Sequence, residues 1–151
     1  MILSSHMAMG AVIGAKFNNP WLIVVLGVIF HYVLDIIPHD EYDIEDMKAG
    51  KVNRGFLLSS FKVLIDLSVG LGVGIYIYSV SGASFLNIIL AMFFSLLPDL
   101  FTLVSFFYKS KFLTGLNKFH QFLHFYKYRK VPYWIRVSTQ ILVIIWSVWI
   151  V

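Results

Sequence analysis

A chain of 151 residues that is 59% hydrophobic and only 13% charged, with a mean hydropathy of +0.80, is excluded from most water-soluble folds, which carry about 25% charged residues, and from disordered classes. There is no cysteine, so disulfides, thiolate metal sites and a cysteine nucleophile are excluded, and any metal must sit on His, Asp or Glu. In so apolar a chain the net charge of +4 reports membrane topology and anionic headgroups, and no nucleic-acid partner is expected.

Five apolar segments follow in chain order, at roughly 2–15, 21–37, 56–80, 85–107 and 134–151. Each is near the length of a membrane crossing, about 20 residues, and the chain leaves little for anything else. The expected fold is therefore all-α: a single integral-membrane domain over 1–151, a bundle of about five transmembrane helices. The first segment is short, but it has no Lys or Arg ahead of its apolar stretch and carries His6, unlike a secretory signal. Tight polar turns at 16–20 and 81–84 join the first segment to the second and the third to the fourth.

The two remaining connections are long and charged. The stretch 38–55 holds Asp40, Glu41, Asp43, Glu45, Asp46, Lys48, Lys51 and Arg54, and the stretch 108–133 holds Lys109, Lys111, Lys118, Lys127, Arg129 and Lys130. Both fall on one face of the bundle, with Arg136 just inside the last segment, whereas the opposite face has only Lys16. The positive-inside rule makes the basic face cytoplasmic, placing the N-terminus inside and the C-terminus outside. Within the second connection, Leu116, Phe119, Phe122, Leu123 and Tyr126 form an apolar stripe beside basic residues, as in a helix lying at the membrane surface.

At an offset of 60 residues the chain pairs Gly10 with Gly70, Gly14 with Gly74, Pro38 with Pro98, His6 with Asp66 and His39 with Asp99. This suggests a parallel internal repeat of 1–40 and 61–100 with a site at its interface. Glycines four and eight residues after the polar group would let the first and third segments approach closely.

The strongest functional signal is the set of ionisable residues in or beside the apolar segments: His6, His31, Asp35, His39, Asp40, Asp66, Asp99, His120 and His124. Such groups are costly in a bilayer and usually face a cavity, a partner or an ion. Asp66 and Asp99 lie at similar depth, roughly 12 to 15 Å from the basic face at the helical rise. Pro98 leaves the Phe94 carbonyl without its helical donor beside Asp99. His120 and His124 are four apart, a spacing that puts two imidazoles on one helix face and suits one metal ion. The expected inner shell is His6, His39, Asp66 and Asp99, closed by His120 and His124. Asp35 or Asp40 would orient an imidazole or act as base, with His31 sharing the face of Asp35. Blander alternatives are an ion pair of Asp66 with Lys62, interhelical hydrogen bonds for His31, an interfacial helix that His120 and His124 merely decorate, and a merely solvated loop for the acids after Asp40, against which Glu41 or Asp43 would have to reach back to the site. Carboxylates mixed with imidazoles favour a divalent metal, zinc first and manganese or iron behind.

The motif His6-Met7-Ala8-Met9-Gly10, the helix end Leu34-Asp35-Ile36-Ile37-Pro38-His39-Asp40 and the late pair His120 and His124 resemble the LexA-binding, YdjM-like group of inner-membrane metal-dependent hydrolases. That family has an N-terminal His-x3-Gly, a Leu-Pro-Asp-x-Asp-type motif at a helix end and a later His-Arg-Gly-x-Thr-His-Ser-type motif. Here the second motif reads Pro38-His39-Asp40, a fuller Leu97-Pro98-Asp99 follows later, and the histidine pair lacks the Arg, Gly, Thr and Ser. The resemblance implies a bacterial inner-membrane location and hydrolase activity. The expected function is hydrolysis of an ester or phosphoester of a membrane lipid or lipid-linked compound at the cytoplasmic face. The basic connection would attract anionic lipid headgroups. An ion or metal transporter and a non-catalytic helical partner protein are the alternatives; the outer halves of the segments carry almost no ionisable residue to complete a permeation path.

Overall fold

In the computed structural model the described residues are 2–41, 53–124 and 131–151. Among them are six helices and no strands: α1 Leu3–Lys16, α2 Pro20–Ile36, α3 Arg54–Ser81, α4 Phe85–Phe107, α5 Lys111–Leu123 and α6 Tyr133–Trp149. The acidic residues Asp43, Glu45 and Asp46, the bases Lys48, Lys51, Lys127, Arg129 and Lys130, and Tyr126 of the apolar stripe lie outside the described residues.

The breaks follow the turn chemistry of the chain. Asn19 accepts from Trp21 N and Leu22 N and so caps α2, whose first residue, Pro20, needs no donor. The end of α2 falls just before Pro38, which cannot continue a helix. Asn53 caps α3 through Phe56 N at 2.7 Å. Gly82, at φ 64°, closes it in the left-handed conformation that favours glycine. Ser110 caps α5 through Leu113 N at 3.1 Å.

The shortest apolar helix occupies the centre. Every residue of α1 from Ser4 to Gly14 is buried, and the helix packs against α2, α3, α4 and α6. A helix apolar on all sides is stable only when it is enclosed in this way. Two apolar cores flank it: Met9, Ile13, Ile23, Leu34, Ala91 and Val143 in one, Met7, Ala11, Val12, Ile77, Ile88 and Met92 in the other.

Glycine sets the helix spacing, though not as the repeat predicts. A Cβ on Gly14 would fall 2.5 Å from the backbone of Asn87 and Ile88, so this glycine and Gly10 admit α4, not α3. Gly70 does face α1, where a Cβ would meet Met7 Sδ at 2.5 Å.

Two helices, Arg54–Ser81 and Phe85–Ser105, are long and apolar enough to cross a membrane. Pro20–Ile36 is apolar but shorter. The outer faces are strongly apolar: Leu57, Phe61, Leu64 and Ile75 on α3 are each exposed by about 60%. Contiguous apolar surface on that scale is foreign to a monomer in water. Chain direction alternates through α1, α2, α3 and α4. The start of α1, the end of α2, the start of α3 and the end of α4 therefore share one end of the bundle with α5.

Candidate metal centre

At that end, five imidazoles surround one carboxylate. Asp35, on the last turn of α2, is fully buried. Its Oδ2 lies 2.9 Å from His31 Nε2 and 2.8 Å from His120 Nε2. Its Oδ1 lies 3.2 Å from His6 Nε2, 3.3 Å from His124 Nε2 and 3.8 Å from His39 Nε2. Two further carboxylates stand at the rim: Asp99 Oδ1, 3.6 Å from His120 and 3.9 Å from His31, and Glu41 Oε1, 3.4 Å from both His39 and His124. The side chains of Asp99 and Glu41 are 27% and 36% exposed, whereas all five histidines are buried.

Local sequence explains the convergence. His31, Asp35 and His39 are spaced by four, so the first two share one face of α2 and the third follows the turn at Pro38. His120 and His124 repeat that spacing on α5, their ring centroids 4.8 Å apart. Helix α5 is also the amphipathic helix expected of an interfacial segment, with Phe112, Phe119 and Phe122 turned outward. His6 comes from the first turns of α1 and stacks on His31 with ring centroids 4.1 Å apart. Gly10 serves the same site at one remove. A Cβ there would lie 2.6 Å from Ser95 Oγ, which donates to the His6 carbonyl at 2.9 Å.

Protonation follows from the outer partners. His31 Nδ1 lies 2.7 Å from the Ser95 carbonyl, and His39 Nδ1 lies 2.8 Å from the Ile37 carbonyl. A carbonyl only accepts, so in the neutral ring the proton sits on Nδ1 and the Nε2 lone pair faces Asp35. Burial holds His39 below its ordinary pKa and so keeps that ring neutral. His120 Nδ1 is held by Thr102 Oγ1 at 2.9 Å. Neither nitrogen of the fully buried His6 makes a hydrogen bond. Lone pairs aimed at a carboxylate repel it, and either a proton on Nε2 or a cation between them removes the conflict. Outer hydrogen bonds to Nδ1 of this kind are the usual support of a metal-bound imidazole. Three groups within the cluster bring potential ligand atoms within 4.8 Å of one another: His6, His31 and Asp99; His31, Asp35 and His120; Asp35, His39 and His124. These buried His and Asp groups could hold a metal ion.

Two of the expected site residues stand elsewhere. Asp66 belongs to none of the three groups; its Oδ2 accepts from Ser4 N at 3.2 Å and so caps α1, which has no side-chain cap of its own. Asp40 is also outside them, paired at 2.7 Å with Arg136 on α6. Asp35, expected to orient or act as base, is instead the hub. Glu41 reaches the cluster; Asp43 lies outside the described residues. The carbonyl that takes an imidazole is that of Ser95, next to the Phe94 carbonyl whose helical donor Pro98 removes.

Compared with protein-family models, curated proteins and solved structures, the chain has no match among any of them.

Proposed function

We propose that the protein is an integral-membrane, metal-dependent hydrolase that cleaves an ester or phosphoester of a lipid or lipid-linked compound at the cytoplasmic face of a bacterial inner membrane. The observation that carries the reading is the buried Asp35 ringed by imidazole Nε2 atoms, two of them with Nδ1 fixed on backbone carbonyls. A set of histidine and carboxylate ligands suits zinc first, and manganese or iron behind it. When bound, such an ion lowers the pKa of a coordinated water toward about 7 and polarises the scissile bond.

The residues divide the remaining work. His31, His120 and Asp35 would hold the ion, with the Ser95 carbonyl and the Thr102 hydroxyl keeping the two rings in place. Asp99 and Glu41, partly exposed, mark where the buried cluster opens to the surface, so they are the carboxylates that an incoming substrate meets. The resemblance to the YdjM-like hydrolases points to the same chemistry.

In this reading all five apolar helices sit in the bilayer, α1, α2 and α6 beside the longer α3 and α4. Helix α1 has 14 residues, about 21 Å at the helical rise, and the surrounding helices shield its ends from lipid. Exposed aromatics flank the bundle: Trp21 and Trp149 at one end, Tyr108, Tyr133 and Trp134 at the other, as in interfacial belts. Helix α5 lies along the cytoplasmic surface. Its Lys111 and Lys118 line, with Lys109, an open cleft of about 420 Å³ that suits anionic headgroups.

The test is turnover by the zinc-loaded protein in lipid nanodiscs, presented with a carboxylic ester, a phosphomonoester, a phosphodiester and anionic phospholipid. Hydrolysis of at least one class, abolished by a chelator and restored by zinc, is expected. Full metal occupancy without turnover of any class contradicts the reading.

A further inference from the structure

The distances around Asp35 separate into two sets. On one side, His31 and His120 approach Oδ2 at 2.9 and 2.8 Å, and the same two Nε2 atoms lie 3.9 and 3.6 Å from Asp99 Oδ1. On the other side, His124 and His39 approach Oδ1 at 3.3 and 3.8 Å, and both lie 3.4 Å from Glu41 Oε1. Apart from His6, the sets share no ligand except Asp35. His6 touches both, since its Nε2 is 3.2 Å from Oδ1 while its ring stacks on His31.

We infer that the centre is dinuclear: two divalent cations bridged by the carboxylate of Asp35, one held by His31, His120 and Asp99, the other by His39, His124 and Glu41. This deepens the metal-dependent reading above and rests on it.

Three physical arguments support two ions over one. A catalytic zinc takes four ligands, or five when it expands to admit water, whereas eight residues, His6, His31, Asp35, His39, Glu41, Asp99, His120 and His124, converge here, more than one ion can take. A tetrahedral ion about 2.0 to 2.1 Å from each ligand sets its donors about 3.3 Å apart, and the imidazole-to-carboxylate separations within each set, from 2.8 to 3.9 Å, bracket that value. A single carboxylate with one oxygen turned to each set is the bridge that keeps two cations about 3.5 to 4 Å apart. The bridge also explains why so many imidazoles tolerate one buried carboxylate. Each Nε2 lone pair then faces a cation, and Asp35 together with Asp99 and Glu41 offsets most of their charge.

Manganese is the probe, because two ions at that distance couple magnetically. The full-length protein, purified in detergent and stripped with chelator, is titrated with Mn²⁺, and bound metal per chain is measured with the paramagnetic resonance spectrum. Two equivalents and a spin-coupled spectrum are expected for the natural sequence. Glu41→Gln, at a partly exposed rim position where folding is not at stake, should bind one tight equivalent with an uncoupled spectrum. Asp99→Asn should do the same from the other side. Saturation of the natural sequence at one equivalent, or two equivalents without coupling, overturns the dinuclear centre and leaves the hydrolase reading standing. Binding of none overturns both.

Discussion

His120 Nε2 on α5 lies 2.8 Å from Asp35 Oδ2 on α2, across a separation of 85 residues in the chain. This contact, with that of His124, draws an amphipathic surface helix onto the end of the bundle. Among the described residues, helix α5 otherwise packs mainly against α4 and lightly against α2.

That dependence makes α5 a reporter of metal. An ion that binds the folded form stabilises it by mass action, and the stabilisation is greatest where its ligands are least anchored otherwise. Chelation should therefore raise amide hydrogen exchange across 111–123 by at least tenfold and leave α1 protected, with zinc restoring the original rates. Equal exchange in α5 with and without chelator would show that its position owes nothing to metal.

Asp66 is expected to act on stability and not on metal. Its carboxylate caps α1 by accepting from the buried Ser4 N, and loss of an N-cap costs about 1 kcal/mol. Asp66→Ala should thus lower unfolding stability by roughly that amount with metal content unchanged. Loss of metal in this variant would return Asp66 to the ligand set.

The α1–α4 contact gives a sharper packing test. In Gly14→Ala the new methyl would press on the Asn87 and Ile88 backbone, which cannot swing aside. Overpacking of this kind costs about 1 to 3 kcal/mol. A Cβ at Gly72 meets nothing within 4 Å, so Gly72→Ala should be neutral or stabilising by up to about 1 kcal/mol through helix propensity. Thermal unfolding of the two variants side by side checks the contrast.

The proposed orientation rests on charge. Arg54, Lys109, Lys111, Lys118 and Arg136 gather at the end that holds the cluster, and basic ends stay cytoplasmic. A reporter active only in the cytoplasm, fused after Val151, should give no signal, while one fused within 43–50 should be active. The reverse pattern would place the site on the outer face.

The helix boundaries were legible because the chain marks them with Asn19-Pro20, Pro38 and Gly82 at the breaks. The five histidines were legible as a set because imidazoles in apolar segments have few other uses. The hub was not. Asp35 and Asp40 stand five residues apart on either side of the turn at Pro38, and that turn decides that one faces the imidazoles while the other meets Arg136. Asp66 was read as a ligand for a related reason. The 60-residue pairing sets it against His6, but depth alone cannot separate a ligand from a residue that caps the neighbouring helix four residues from the N-terminus. Glu41 looked like the start of a solvated acid loop, and its role depends on where α5 lies, which no local pattern encodes.

The central claim, that Asp35 and its imidazoles bind metal, is tested most directly by elemental analysis of protein purified without chelator, set beside Asp35→Asn. The account predicts at least one divalent ion per chain in the natural sequence, located by anomalous scattering within bonding distance of Asp35. It predicts none in the variant, which should retain its helical content. Metal-free natural protein, or a variant that keeps its full complement, would contradict it.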